Sequence, residues 1–300
     1  MAKVGVLIVT YNRLKLLQEE VDSIREQTYK DYEIIVVDNC SSDGTAKWLD
    51  EQKDIYTIHI SPENIGPARA FSEGVKYVVE QGYEYCWLMD DDVECKPDAL
   101  QYLMKGINMK PDIGFVCSKV VSPDGLPMNV PIIDTRLSSN GYMDYADLLQ
   151  EGMLKVVECT FVSMLFPCQL VYEIGLPLGD LNNWGVDSEF AVRLSQRYDC
   201  YSVNKSKVIH KRVIQKALSF ANEKDPVRLS YFRSQLRNSI YHSFKYNCHN
   251  NKDKVKFLLS YFWLIVRSLT RLSFRETWVR ISALKDAVIF RPIIVFPQKK

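Results

Sequence analysis

The sequence predicts an α/β protein built on a mostly parallel sheet, and three observations carry that expectation. Apolar runs alternate with helix-period segments about every 30 residues between positions 4 and 89, the pattern of successive βαβ units. The runs are continuously apolar, as strands covered on both faces must be. Polar and acidic residues collect at their carboxyl ends, the edge at which such sheets bind ligands.

In chain order, "VGVLIVT" (4–10) is the first buried strand; its apolar run is too short for a signal-peptide core and no small-residue cleavage site follows it. Leu14, Leu17, Val21 and Ile24 then recur at helical spacing. "YEIIVVD" (32–38) is the second strand, and "DGTAKWLDEQ" (43–52) opens a helix with Asp43 as the expected N-cap. "YTIHI" (56–60) is the third strand, Pro67 to Glu80 a helix with Phe71, Val75 and Val78 inward, and "YCWLM" (85–89) the fourth strand. Beyond Pro97 the pattern loosens. A helix (98–108) and a strand near Gly114 to Ser118 lead into a turn-rich stretch from Ser122 to Gly141. "KVVECTFVSMLFP" (155–167) supplies one or two strands, Asp187 to Tyr198 a helix with Phe190, Ala191 and Leu194 on one face, and "CYSVNKSKVIHK" (200–211) another strand. Helices are expected over 226–246, 252–271 and 275–290. The division that follows is a catalytic domain over 1–215, with halves 1–97 and 98–215, and a helical region over 216–300.

The chain is 47% apolar and 25% charged, as an ordinary globular protein is, and its net charge of +1 offers no general attraction to nucleic acid. The charge is unevenly spread: from Lys252 onward 11 Lys and Arg face 3 Asp and Glu, a balance of +8 that leaves −7 for residues 1–251. The eight cysteines form no CxxC pair and several sit in apolar runs, which points to a reducing cytoplasm and against a zinc site.

Three segments carry chemistry. "WLMDDDVE" (87–94) ends a buried run in Asp90, Asp91 and Asp92. Like charges at one strand end are costly unless something positive sits among them. A solvated acidic turn shares this pattern, but its position at the sheet's carboxyl edge favours a site for Mg2+ or Mn2+, hard cations that take oxygen ligands. In extended backbone Asp90 and Asp92 fall on one side and Asp91 on the other. "DNCSSDGT" (38–45) suits an edge-on contact with a base or ribose and equally an ordinary strand–turn–helix; there is no GxGxxG or P-loop signature. "NNWGVDSEFAVRL" (182–194) places Asp187 and Glu189 in a first helical turn beside Trp184. Such acids commonly complement the helix dipole; alternatively Asp187 is a general base and Trp184 a platform for a sugar ring. His210 is a surface histidine or the imidazole that completes a metal's coordination.

Taken together, "VLIVTYNR", "IIVVDNCSSDGT", "NIGPARAFSEG", "WLMDDDVE", "WGVDSEFAVRL" and "VIHK" resemble, in order and spacing, the inverting glycosyltransferases of family 2. The resemblance covers about the first 215 residues, and "YFRSQLRNSIY" (231–241) is similar to a tyrosine/arginine–asparagine helix of that family. It implies a GT-A fold, with Thr10, Tyr11, Asn12 and Asp38 at the nucleotide's base and ribose and with Asn64, Gly66 and Arg69 approaching the donor. It further implies that Asp90 and Asp92 form the DxD pair, that Asp92 and His210 hold the Mn2+ or Mg2+ and that Asp187 is the base. Asp91 is expected beside the nucleotide sugar, and Trp184 and Glu189 at the acceptor. Many relatives carry two aspartates before the E-F of this motif; here the first is Val186, leaving Asp187 alone at the base position. The QxxRW motif and membrane spans of the processive synthases are missing from this sequence, so the resemblance narrows to single-addition rhamnosyl- and galactofuranosyl-transferases of bacterial surface glycans. UDP- or dTDP-linked donors and a glycan or lipid-linked glycan acceptor are implied. A sugar-nucleotide pyrophosphorylase would need a glycine-rich N-terminal signature that "TYNRLKLL" does not provide, and a non-catalytic nucleotide-sugar-binding subunit would have no use for Asp187.

The basic tail holds ten uncharged residues, "FLLSYFWLIV" (257–266), far short of the ~20 of a spanning helix. Its helices are expected to pack on the catalytic domain or on a second copy, and its charge to draw the protein to the anionic inner face of the membrane as a peripheral, cytoplasmic protein.

Overall fold

The computed structural model describes residues 3–59, 62–212, 226–247 and 251–299. The domain boundary expected at 215/216, the end of the third strand run at Ile60 and Cys248 lie outside the described residues.

The first half is built as the sequence requires. Strands β1 (Val4–Thr10), β2 (Tyr32–Asp38), β3 (Ile55–His59) and β4 (Tyr85–Asp90) are parallel and alternate with helices α1 (Leu14–Arg25), α2 (Thr45–Asp50) and α3 (Pro67–Gln81). Both faces of β1 are buried, Leu7 and Val9 in one apolar layer and Val4, Val6 and Ile8 in the other. Asp43 is not the N-cap of α2; Gly44 holds that place at φ 96°, and Asp43 instead accepts the Thr45 and Leu14 amides.

The second half is mixed. β5 (Val93–Cys95), which the sequence pattern did not mark, and α4 (Ala99–Ile107) lead to β6 (Ile113–Val121). Then follow the short exposed β7 (Ile132–Ile133), β8 (Met153–Glu158), β9 (Met164–Pro167), helices α5 (Val171–Ile174) and α6 (Val186–Ser195), and the long β10 (Asp199–His210). The sheet order is β3-β2-β1-β4-β9-β6-β10-β8-β7, with β5 paired to β10. β9 runs antiparallel between β4 and β6, and β5 and β8 are antiparallel to β10. The chain winds from β1 toward β3 and then crosses to β4 on the other side, so the carboxyl ends of β1 and β4 flank a topological switch point.

Helices α7 (Pro226–His242), α8 (Asn251–Thr270) and α9 (Phe274–Ile289) form the C-terminal region. The Arg233 guanidinium donates to Asp286 at 2.6 and 2.7 Å, tying α7 to α9. Past α9 the chain returns to the sheet-bearing part of the molecule, where the Leu176 amide donates to the Val295 carbonyl at 2.7 Å and Ile294 packs on the first apolar layer. None of the helices in the described residues is long and apolar enough to cross a membrane.

Candidate functional site

A cleft of about 1180 Å³ opens at the switch point, walled by the ends of β1, β4 and β10 on one side and by the Leu181–Glu189 segment and α7 on the other. The register that sets Val9 against Asp90 brings Thr10 to the start of the aspartate run. Its hydroxyl donates to Asp91 at 2.8 Å and the Tyr11 amide reaches the same oxygen at 3.4 Å. Arg13 supplies the positive charge the cluster needs: one guanidinium nitrogen lies 2.9 Å from both Asp91 and Asp92. This arginine ends the "TYNR" run, yet nothing in the sequence gave it a role.

Asp90, Asp92 and His210 come together, with one ligand atom of each lying within 4.8 Å of the others. β5 makes this meeting, because its pairing with β10 sets Val93, the residue after Asp92, against His210. Burial first, and then the neighbouring Asp92 charge, raise the Asp90 pKa far above the carboxylate range. The Asp92 Oδ1 atom is buried and has no hydrogen-bond donor among the described residues, although His210 Nε2 lies 3.0 Å from it. An oxygen-rich set with one imidazole and an orphaned buried carboxylate oxygen fits a hard divalent cation such as Mn2+ or Mg2+.

Opposite, Gly185 adopts φ 97° to start α6, a left-handed turn that a side chain would strain. Asp187 stands in the first turn, accepting the Ser188 amide at 2.8 Å. Burial raises its pKa to about 6, and the Glu158 charge pushes the same way. Glu158 is held near by a 2.7 Å hydrogen bond from the Ser188 hydroxyl. Trp184 lines the cleft, with its ring edge-on to Tyr231 and Phe232 of α7 at 5.8 and 5.4 Å. Asn238 of α7 secures this turn by donating to the Leu181 and Trp184 carbonyls at 2.8 and 2.6 Å.

Several expected residues fall elsewhere. Glu189 borders the cleft but is 1% exposed, and both its oxygens are taken, by Arg193 at 3.0 and 2.8 Å and by the Tyr246 hydroxyl. An acceptor therefore meets no open carboxylate there. Asn64 and Gly66 line the cleft as expected, and Asn39 joins them. Asn39 donates to Asn64 at 3.0 Å and accepts the Ile65 amide at 3.0 Å, fixing the loop that enters α3. Asp38, one residue earlier, is 2% exposed, accepts the Ser41 amide and lies outside the cleft wall. Asn12 also lies outside it; at φ 53° its side chain accepts the Ser42 amide at 2.7 Å and ties the two loops together. Arg69 faces Asp180 at 3.8 Å, again away from the cleft wall. Asn129, Glu158 and His242 line the cleft without having been singled out in the sequence.

Comparison with known proteins agrees with this geometry. The sequence profile of glycosyl transferase family 2 matches residues 5–174, more than half of the chain. The abequosyltransferase RfbV of Salmonella typhimurium is 31% identical over 122 residues, 39% of this chain and 35% of that protein. The poly-beta-1,6-N-acetyl-D-glucosamine synthase of Staphylococcus epidermidis is 30% identical over 116 residues, 38% of this chain and 27% of that one. The match thus spans 35% and 27% of the length of these two curated relatives. Among solved structures, the mannosyltransferase PcManGT from Pyrobaculum calidifontis, in complex with GDP-Man and Mn2+, superposes with a TM-score of 0.56. At 17% identity, over 96% of this chain and 87% of that one, the likeness is one of fold, the GT-A glycosyltransferase fold. The profile covers the parallel strands and the aspartate run, and the fold reaches the rest: the chain belongs to glycosyltransferase family 2.

Proposed function

We propose that the protein is a metal-dependent, inverting glycosyltransferase that moves one sugar from a UDP- or dTDP-linked donor to a hydroxyl of a glycan or lipid-linked glycan in bacterial surface polysaccharide synthesis. The observation that carries this reading is the facing of two groups across one cleft. The Asp90–Asp92–His210 set with its orphaned oxygen lies on one wall, and Asp187 with its raised pKa on the other. Asp90, Asp92 and His210 would hold Mn2+ or Mg2+, which when bound neutralises charge growing on the nucleoside diphosphate leaving group. In this reading Thr10, Tyr11, Asn64 and Gly66, all on the cleft wall, meet the donor and Trp184 meets the acceptor, while Asn12 and Asp38 hold the adjoining loop and Arg69 stands behind it against Asp180. Asp187 takes the proton of the acceptor hydroxyl as its oxygen attacks the anomeric carbon. The new carbon–oxygen bond forms as the bond to the diphosphate breaks on the opposite face and its electron pair leaves with the nucleotide. No covalent enzyme intermediate is needed. The test is a panel of sugar nucleotides scored for nucleotide release and transfer, with and without a chelator, in wild type and Asp92→Ala. Metal-dependent turnover lost in the variant is expected; full activity in the chelator, or donor binding without any turnover, sinks the proposal.

The same reading holds the enzyme at the cytoplasmic face of the membrane. Val255, Leu258, Phe262, Val266 and Leu269 are exposed along one face of α8, with Leu259 and Trp263 beside them. Lys252, Lys256 and Arg267 flank that face, within a tail of net charge +8. An exposed apolar and aromatic helix face edged with basic residues suits an anionic bilayer surface. Pairing of two copies through α8 is the alternative use of the same face.

A further inference from the structure

We infer that Asn129 is a positioning residue of the metal site, which fixes the His210 tautomer so that Nε2 offers its lone pair to the cation. The inference rests on the metal reading above and adds a residue that no motif supplied. Asn129 follows β6 at the cleft rim, in a left-handed conformation at φ 47°, and the preceding Met128 amide is anchored to the Val120 carbonyl at 3.2 Å. Its side-chain oxygen lies 2.9 Å from His210 Nδ1. A carbonyl oxygen can only accept, so the pairing asks for a proton on Nδ1, and the tautomer that carries it there has its free lone pair on Nε2.

In that tautomer the other side of the ring turns a lone pair toward Asp92. Asp92 Oδ1 sits buried, 3.0 Å from Nε2. Two lone pairs that close repel, and a shared cation would relieve both atoms at once. Outer partners of this kind orient a ligating histidine and characteristically change metal affinity 10- to 100-fold when removed. The turn-rich segment after β6 thereby touches the metal site through one side chain.

The test needs no turnover. In metal-free protein, ¹⁵N chemical shifts of His210, one of only four histidines, report which ring nitrogen is protonated. Protonation of Nδ1 is expected; a proton on Nε2 overturns the inference. Mn2+ affinity is then measured by calorimetry for wild type, Asn129→Gly and Asn129→Asp. Glycine removes the side chain and tolerates the left-handed backbone; aspartate keeps an acceptor and cannot donate. Asn129→Gly should bind Mn2+ roughly 10-fold or more weakly, with Asn129→Asp at least as tight as wild type. Wild-type affinity in Asn129→Gly, or loss in Asn129→Asp, would reject the role. Wild-type protein that binds no Mn2+ would instead defeat the metal reading itself, leaving the tautomer measurement to stand alone.

Discussion

Arg13 and Asp92 are joined at 2.9 Å across the mouth of the cleft, and the same guanidinium nitrogen also reaches Asp91. The arginine is half in water, while the two aspartates are buried. Its charge is therefore what lets the metal-free protein tolerate three adjacent carboxylates. Removing one partner of such a pair leaves a buried charge uncompensated, and exposure of the arginine reduces the cost to about 1–2 kcal/mol. Arg13→Ala should accordingly melt lower than wild type in a chelator, and Mn2+ should raise its melting temperature by more than it raises that of wild type. Equal melting curves in the chelator would remove Arg13 from this role.

Asp187→Asn should keep the fold and lose transfer by roughly 10²-fold or more, the usual contribution of a general base. In wild type the rate should fall as pH drops below about 6, since the base works only when ionised. The stability effect runs the other way. Burial raises this carboxyl from 3.8 to about 6, so the folded form holds the proton more tightly than the unfolded form. Its contribution to stability is present below about pH 4 and lost as pH rises through about 6. Asp187→Asn should therefore melt above wild type at pH 7 and close to it in acid, which calorimetry across pH would check.

Glu189 is expected to matter for folding, not for transfer. Its pairing with Arg193 is buried on both sides, and stripping one member of such a pair costs about 3–5 kcal/mol. Glu189→Ala should yield destabilised or insoluble protein, read by denaturant unfolding. A stable variant that lacked only activity would return Glu189 to the list of cleft acids.

Flotation with anionic vesicles should recover the protein at low salt and lose most of it at high salt, because the basic residues act through a screened field. Phe262→Glu with Trp263→Glu should not float in either. If folded wild type fails in both conditions, a mass measurement is decisive: a dimer broken by the same double change assigns the α8 face to a second copy.

The first half was legible in the sequence because one physical rule governs it. Strands covered on both faces must be continuously apolar, so β1, β2 and β4 announced themselves and their carboxyl ends located Thr10 and Asp90. What escaped was set by long-range pairing. β5 is only three residues long and carries no periodicity of its own; its partner on β10 defines it. Arg13, Asn129 and Glu158 become site residues through contacts far along the chain, where local pattern has no grip. Glu189 misled for the converse reason, since an acid in a first helical turn looks the same whether it meets solvent or a buried arginine.

The antiparallel β9 has a consequence for how this chain must be made. It is the strand that closes the side of β4, and the Ser163 hydroxyl just before it receives the indole N–H of Trp87, a side chain with no solvent exposure. A ribosome delivers β4 long before β9. Until Met164 to Pro167 emerge, the nascent sheet ends in an open apolar edge of the sort that recruits other chains. A fragment cut at Pro97, however self-contained its βαβ pattern looks, would be born with that edge unguarded.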